Sequence, residues 1–159
     1  LLGELNNGFP IFMKTLDGGR ISIAALALGI GQGAIDASVP YAMQRKQFGR
    51  PICDFQMIQG YLAEMHTEMT AARHLTYHAA RLKDAGRKHS IESAMAKYYA
   101  STVAMKATTL AIQIHGGYGY TKDYPVERYF RDAKLCEIGE GTTEVQKIVI
   151  ARELIKQFS

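Results

Sequence analysis

The stretch Glu137-Ile138-Gly139-Glu140-Gly141-Thr142-Thr143-Glu144-Val145-Gln146 sets a carboxylate between two glycines, just ahead of a helical pattern of Val145, Ile148, Val149, Arg152 and Leu154. A side chain placed there projects from a helix N-terminus. It either stabilises the helix dipole or reaches into a cleft as a general base. Residue type and spacing leave both readings open. A second group, Arg45-Lys46 with Arg50, sits among glycine and proline rather than interleaved with aromatics on a helix face. That arrangement suits a small polyphosphate better than nucleic acid. His74 and His78 stand one helical turn apart, but no Glu follows the first and no third ligand is in view, so they read as surface or groove histidines and no metal is expected. In Gly29-Ile30-Gly31-Gln32-Gly33 the spacing is wrong for a dinucleotide loop and no strand precedes it. Gly29 and Gly33 are expected instead on one helix face, for close packing.

The elements that must position these residues are helical. From Ile21 to about Tyr41 the chain has the composition of a helix that is apolar all round and belongs at the centre of a fold. Pro40 is expected to kink it or end its first part, and Arg45 to Pro51 to close it. From Phe55 to Lys83, Ile58, Leu62, Met65, Met69, Ala72, Leu75, Ala79 and Leu82 recur in steps of three and four, which predicts one long amphipathic helix. Asp84 to His89 is a turn, and Ser90 is the expected N-cap of an Ala- and Ser-rich helix reaching about His115. Gly116-Gly117-Tyr118-Gly119-Tyr120 stops that helix. A short element follows around Pro125 to Asp132, and a last helix runs from about Thr142 to Lys156. No stretch alternates with period two over a strand's length, so the expected fold is all-α, an antiparallel four-helix bundle forming a single domain over residues 1–159.

With 159 residues, 47% of them hydrophobic, the chain can bury about two thirds of its unfolded surface in one core, which excludes disorder. Cys53 and Cys136 lie far apart with no metal or redox spacing, so a reducing compartment, or indifference to redox, is expected. No signal-peptide pattern is present. The apolar run Ile21–Ile35 is broken by Ser22, Gly29, Gly31, Gln32 and Gly33 and is shorter than the roughly 20 residues a membrane span needs. A net charge of +4 is too modest to argue for nucleic acid. The opening Leu1-Leu2-Gly3-Glu4 reads as a segment running in from something longer.

Six co-linear motifs carry a resemblance over nearly the whole chain: Asp17-Gly18-Gly19-Arg20, Arg45-Lys46-Gln47-Phe48-Gly49, Phe55-Gln56, Gln113-Ile114-His115-Gly116-Gly117-Tyr118-Gly119, Tyr124-Pro125-Val126-Glu127-Arg128-Tyr129-Phe130-Arg131-Asp132-Ala133-Lys134 and Glu140-Gly141-Thr142. Together they resemble the C-terminal domain of the acyl-CoA dehydrogenases, nearest the short-chain (butyryl-CoA) type. The resemblance implies a parent enzyme of three parts, in which an N-terminal helical domain and a middle β-domain, both absent from this chain, precede the bundle. It implies FAD lying across the interface between two subunits of a tetramer, an acyl-CoA substrate oxidised to the trans-2-enoyl-CoA in fatty acid β-oxidation, electron-transfer flavoprotein as acceptor, and a home in the bacterial cytoplasm or the mitochondrial matrix. The alternatives are an acyl-CoA oxidase that uses oxygen, and a helical oligomerisation module without catalysis.

By the same resemblance Glu140 is the base that removes the α-proton, its own backbone N–H faces the thioester carbonyl, and Gly141 leaves the acyl chain room to approach. Asp17 and Arg20 match substrate positions near the CoA portion. Arg45 matches the arginine facing the FAD pyrophosphate from the neighbouring subunit, and Gln47 stands where Thr or Ser is frequent. Phe48 and Gln56 match residues around the adenosine half, and Gln113, Gly116 and Gly117 the loop against the cofactor. Thr142 and Glu144 match positions at the adenine-end phosphate and ribose. Two departures follow. The residue before the base is usually Tyr, whereas Gly139 here removes a wall of the acyl pocket. Some members carry the base at the position matching Gly19, where a glycine cannot serve.

Overall fold

The helical periodicity is realised almost throughout. A computed structural model describing residues 3–159 contains the helices α1 (Gly8–Gln44), α2 (Gln56–Asp84), α3 (Ser90–His115), α4 (Val126–Ile138) and α5 (Thr143–Ile155). The only sheet among the described residues is a ribbon, β1 (Lys46–Gln47) and β2 (Arg50–Pro51), with Lys46 opposite Pro51 and Gln47 opposite Arg50. The all-α expectation holds. The short element expected near Pro125 is a full helix, α4, so the helical bundle has five α-helices among the described residues.

The centre belongs to α3, not α1. It packs against α1, α2, α4 and α5. Ala96, Ala100, Ala104, Ala107 and Ala111 are at most 1% exposed, and side chains this small let several helices approach one axis. Met65 and Met69 of α2 fill the space opposite, and burying each contributes about 1.5–3 kcal/mol.

α1 starts well before Ile21 because Pro10 falls in its first turn, where the missing N–H has no intrahelical partner in any case. It also runs unbroken through Pro40. Both Pro40 and Asp36, whose carbonyl Pro40 leaves unbonded, are exposed, so water replaces the lost hydrogen bond. Although α1 is apolar all round, only one stripe is buried, through Arg20, Ala24, Ala27, Gly31, Ala34 and Ser38. Leu26 and Met43 point outward. At 37 residues the helix is, by length and composition, apolar enough to cross a membrane, unlike the shorter run read from the sequence. Its buried stripe is packed against α2, α3 and α4.

The glycines of α1 are used differently from expectation. Gly29 faces open space, whereas a β-carbon on Gly31 would lie 2.5 Å from Met69 Sδ, and one on Gly33 3.3 Å from Tyr129 Cζ. Gly31, not Gly29, therefore sets the closeness of α1 to α2. After α1, the ribbon turns at Phe48 (φ +52°) and Gly49 (φ +81°), two consecutive left-handed residues such as a two-residue hairpin loop requires. His74 and His78 are exposed, and no group of three or more potential metal-ligating side chains occurs among the described residues.

Candidate functional site

α4 ends at Ile138 with the Gly139 amide bonded to the Leu135 carbonyl at 2.8 Å. Glu140 (φ +57°) and Gly141 (φ +91°) then reverse the chain in left-handed conformation. Thr142 starts α5 as its N-cap, its hydroxyl accepting from the Val145 amide at 3.4 Å. A residue with a β-carbon pays for left-handed backbone, and Glu140 stays there because the turn is fixed from behind. Lys97 Nζ donates to the carbonyls of Glu137 (3.0 Å) and Gly141 (2.7 Å). Gln146 Nε2 donates to those of Glu140 (3.1 Å) and Gly141 (2.9 Å). Both side chains are fully buried.

The result is an exposed Glu140 carboxylate on a fixed turn. It faces α1 at Gly19, where a β-carbon would stand 2.6 Å from Glu140 Oε2. Asp17, Gly19 and Arg20 thus share one turn of α1 beside the carboxylate. Arg20, matched with Asp17 to the CoA end of the substrate, is 5% exposed and donates to Asp17 Oδ1 at 2.7 Å. Ser90, expected as an N-cap, makes no cap bond and donates to Asp17 Oδ2 instead. Asp17 is therefore held from two helices, with its charge met by Arg20.

The remaining predicted residues fall into separate clefts. Arg45, Gln47, Gly116 and Gly117 line one cleft of about 530 Å³ with Tyr41 and Tyr118. Arg45 engages in no ion pair among the described residues, and its guanidinium lies 5.3 Å from the Tyr118 ring centre. Nothing stands within 4 Å of a β-carbon built on Gly116 or Gly117. At the back of this cleft His115 stacks on Tyr41 with ring centres 4.1 Å apart, and Nδ1–H donates to the Ala111 carbonyl at 2.8 Å. Burial pushes the pKa of His115 below its ordinary value, which favours the neutral ring.

Gln113 opens on a different cleft beside Tyr120 and Phe130. Gln56 lies with Arg50 and Phe55 in another. Phe48 projects from the ribbon tip, 93% exposed, edge-on to Phe55 at 6.1 Å. Thr142 and Glu144 line a shallow cleft with Lys134 and Glu137 near the Glu140 turn. The Glu144 carboxyl is held below its ordinary pKa by its own backbone amide and by the Thr142 hydroxyl.

Sequence reasoning did not find Lys97 or Gln146. Lys97 carried a usable signal, because it lies on the buried stripe Ser93-Lys97-Ala100-Ala104 of α3, a position an unpaired cation does not take without buried acceptors. Burial lowers its pKa. Gln146 carried none, since it follows α5's capping turn where exposed polar residues are usual.

The family model described as "Acyl-CoA dehydrogenase, C-terminal domain" matches residues 6–155. Among curated proteins, the probable acyl-CoA dehydrogenase YngJ of Bacillus subtilis is 59% identical over 98% of this chain and 41% of its own length. The acryloyl-CoA reductase (NADH) of Anaerotignum propionicum is 56% identical over 99% of this chain and 40% of its own. The butyryl-CoA dehydrogenase structure from Megasphaera elsdenii superposes with a TM-score of 0.95 at 52% identity, covering 96% of this chain and 40% of that one. The chain thus spans about two fifths of the length of the relatives it matches.

Proposed function

The chain belongs to the acyl-CoA dehydrogenase family, as its C-terminal domain, and we propose that it supplies the catalytic base and part of the flavin site of an enzyme that converts an acyl-CoA to the trans-2-enoyl-CoA. The observation that carries this reading is the exposed Glu140 carboxylate, set on a rigid left-handed turn against a glycine of α1. Glu140 takes the α-proton of the thioester. Its own amide is the donor for the thioester carbonyl, on which charge builds as the proton leaves. Gly141 leaves the α-carbon unobstructed. Because Glu140 is exposed in this chain, the dry surroundings a carboxylate base needs come from the substrate and from the domains that cover this face. Asp17, held by Arg20 and Ser90, offers its edge to the CoA portion.

The residues present fit FAD. An arginine free of ion pairs suits a pyrophosphate, and the two glycines beside it leave open space that side chains would fill. Gln47, Phe48, Gln56 and Gln113 extend that surface from one copy, while Thr142 and Glu144 lie near Glu140. Their dispersal over separate clefts supports a cofactor shared between two subunits of a homodimer or homotetramer. The FAD these residues would hold would supply the acceptor for the hydride lost from the β-carbon. An N-terminal helical domain and a middle β-domain complete the site, with electron-transfer flavoprotein as the electron acceptor, in the bacterial cytoplasm or the mitochondrial matrix.

The reductase relative at 56% identity supports a second direction for the same chemistry. In that direction Glu140, protonated, would give a proton to the α-carbon of an enoyl-CoA, and a bound reduced flavin would supply the hydride for the β-carbon. In the complete enzyme, Glu140→Gln is expected to keep its flavin and lose turnover of butyryl-CoA. Retained turnover removes the base assignment, and failure of the wild type to bind either ligand favours a non-catalytic oligomerisation module.

A further inference from the structure

Behind the Glu140 turn lies a pair of polar side chains that the chemistry above does not use. Lys97 is fully buried on α3, and no carboxylate pairs with it among the described residues. Its ammonium is spent on the Glu137 carbonyl, in the last turn of α4 where the helix dipole is negative, and on the Gly141 carbonyl. Gln146, fully buried in the first turns of α5, reaches back to the Glu140 and Gly141 carbonyls. The Gly141 carbonyl accepts from both. A β-carbon on Gly141 would stand 2.9 Å from Gln146 Nε2, so the amide is seated directly against the turn.

We propose that Lys97 and Gln146 are positioning residues for the base: a two-armed clamp that holds Glu140 in its left-handed conformation and thereby aims its carboxylate across Gly19. Neither arm touches substrate. A buried cation without a counter-ion is costly unless it is hydrogen-bonded, and here two of its three N–H donors are taken by the backbone that carries the base. Two helices, α3 and α5, converge on the Gly141 carbonyl through these bonds, and Lys97 ties the end of α4 to them through the Glu137 carbonyl. Removing either arm leaves the Gly141 carbonyl with one donor instead of two, and the turn is freer to relax toward backbone a glutamate prefers. A misaimed carboxylate slows proton abstraction with little effect on thioester binding.

This inference rests on Glu140 being the base, so its test includes that residue. The complete flavin-loaded enzyme is compared with Lys97→Met, Gln146→Met, the double variant and Glu140→Gln. The readouts are KM and kcat for butyryl-CoA, the α-deuterium isotope effect on turnover, and solvent-deuterium exchange into 3-thiabutanoyl-CoA, whose β-position is sulfur and gives up no hydrogen. Each clamp variant is expected to exchange at least about tenfold more slowly than wild type, with KM within about twofold, full flavin content and a larger isotope effect. The double variant is expected to lose less than the product of the single losses, since both arms act on one carbonyl. Exchange within about twofold of wild type in either folded variant overturns the clamp if Glu140→Gln has lost exchange. If Glu140→Gln exchanges normally, the base assignment fails and the clamp with it. Failure of both methionine variants to fold also counts against it, since the pair would then be core rather than a device for the turn.

Discussion

The Glu140 carboxylate lies directly against Gly19 of α1, where a β-carbon would stand 2.6 Å from Oε2 and 2.9 Å from Cδ. Gly19→Ala is therefore expected to push the carboxylate aside and lower kcat of the complete enzyme by about tenfold or more, with KM changed little. The paired exchange Gly19→Glu with Glu140→Gly moves the base onto α1 and is expected to recover part of the activity lost in Glu140→Gly alone. Steady-state kinetics with butyryl-CoA checks both.

Gly139 tests substrate scope. Its φ of −63° admits any residue, and a β-carbon there meets only the Leu135 carbonyl at 3.4 Å, ordinary contact. Gly139→Tyr should fold normally and rebuild a wall of the acyl pocket. The expected result is a fall of about ten- to a hundredfold in kcat/KM for long or branched acyl-CoA relative to butyryl-CoA.

Arg45 is exposed and carries no structural ion pair among the described residues. Arg45→Ala is expected to leave the unfolding temperature of the apoprotein unchanged while raising the Kd for FAD about ten- to a hundredfold, the worth of a charge-assisted hydrogen bond. Flavin retained per subunit after gel filtration reports it directly.

The buried His115 gives a pH prediction. Its folded pKa lies below the ordinary 6.5, so its neutral form contributes full stability above that pH. The contribution is lost as pH falls from about 6.5 through the folded value, because the unfolded chain takes up a proton the fold resists. His115→Gln is expected to flatten the fall in unfolding temperature measured from about pH 7.5 to about pH 5.

What the sequence discloses here follows from which residues act locally. The stripe from Ile58 to Leu82 and the Gly-Glu-Gly-Thr turn place α2 and the start of α5 within a residue or two. Thr76 is buried where Leu75 is only half-buried, while Ala79 and Leu82 keep the expected phase. Pro40 misleads because its effect depends on exposure, which the sequence does not state. Gly18 and Gly19 serve close approach, and Pro10 lies in the first turn of α1. The burial of Arg20 against a half-buried Asp17 is not legible in the sequence. Lys97 and Gln146 meet the turn only through packing of α3 against α4 and α5, contacts between residues distant in sequence that no periodicity records.

The central claim is tested most directly by mixing the complete Glu140→Gln enzyme, loaded with FAD, with saturating butyryl-CoA and following bleaching of the flavin absorbance. The account predicts normal flavin content, normal substrate binding, and bleaching slowed by about a hundred- to ten-thousandfold, the contribution of a positioned general base. Bleaching within about threefold of wild type would contradict it and send the search for the base elsewhere.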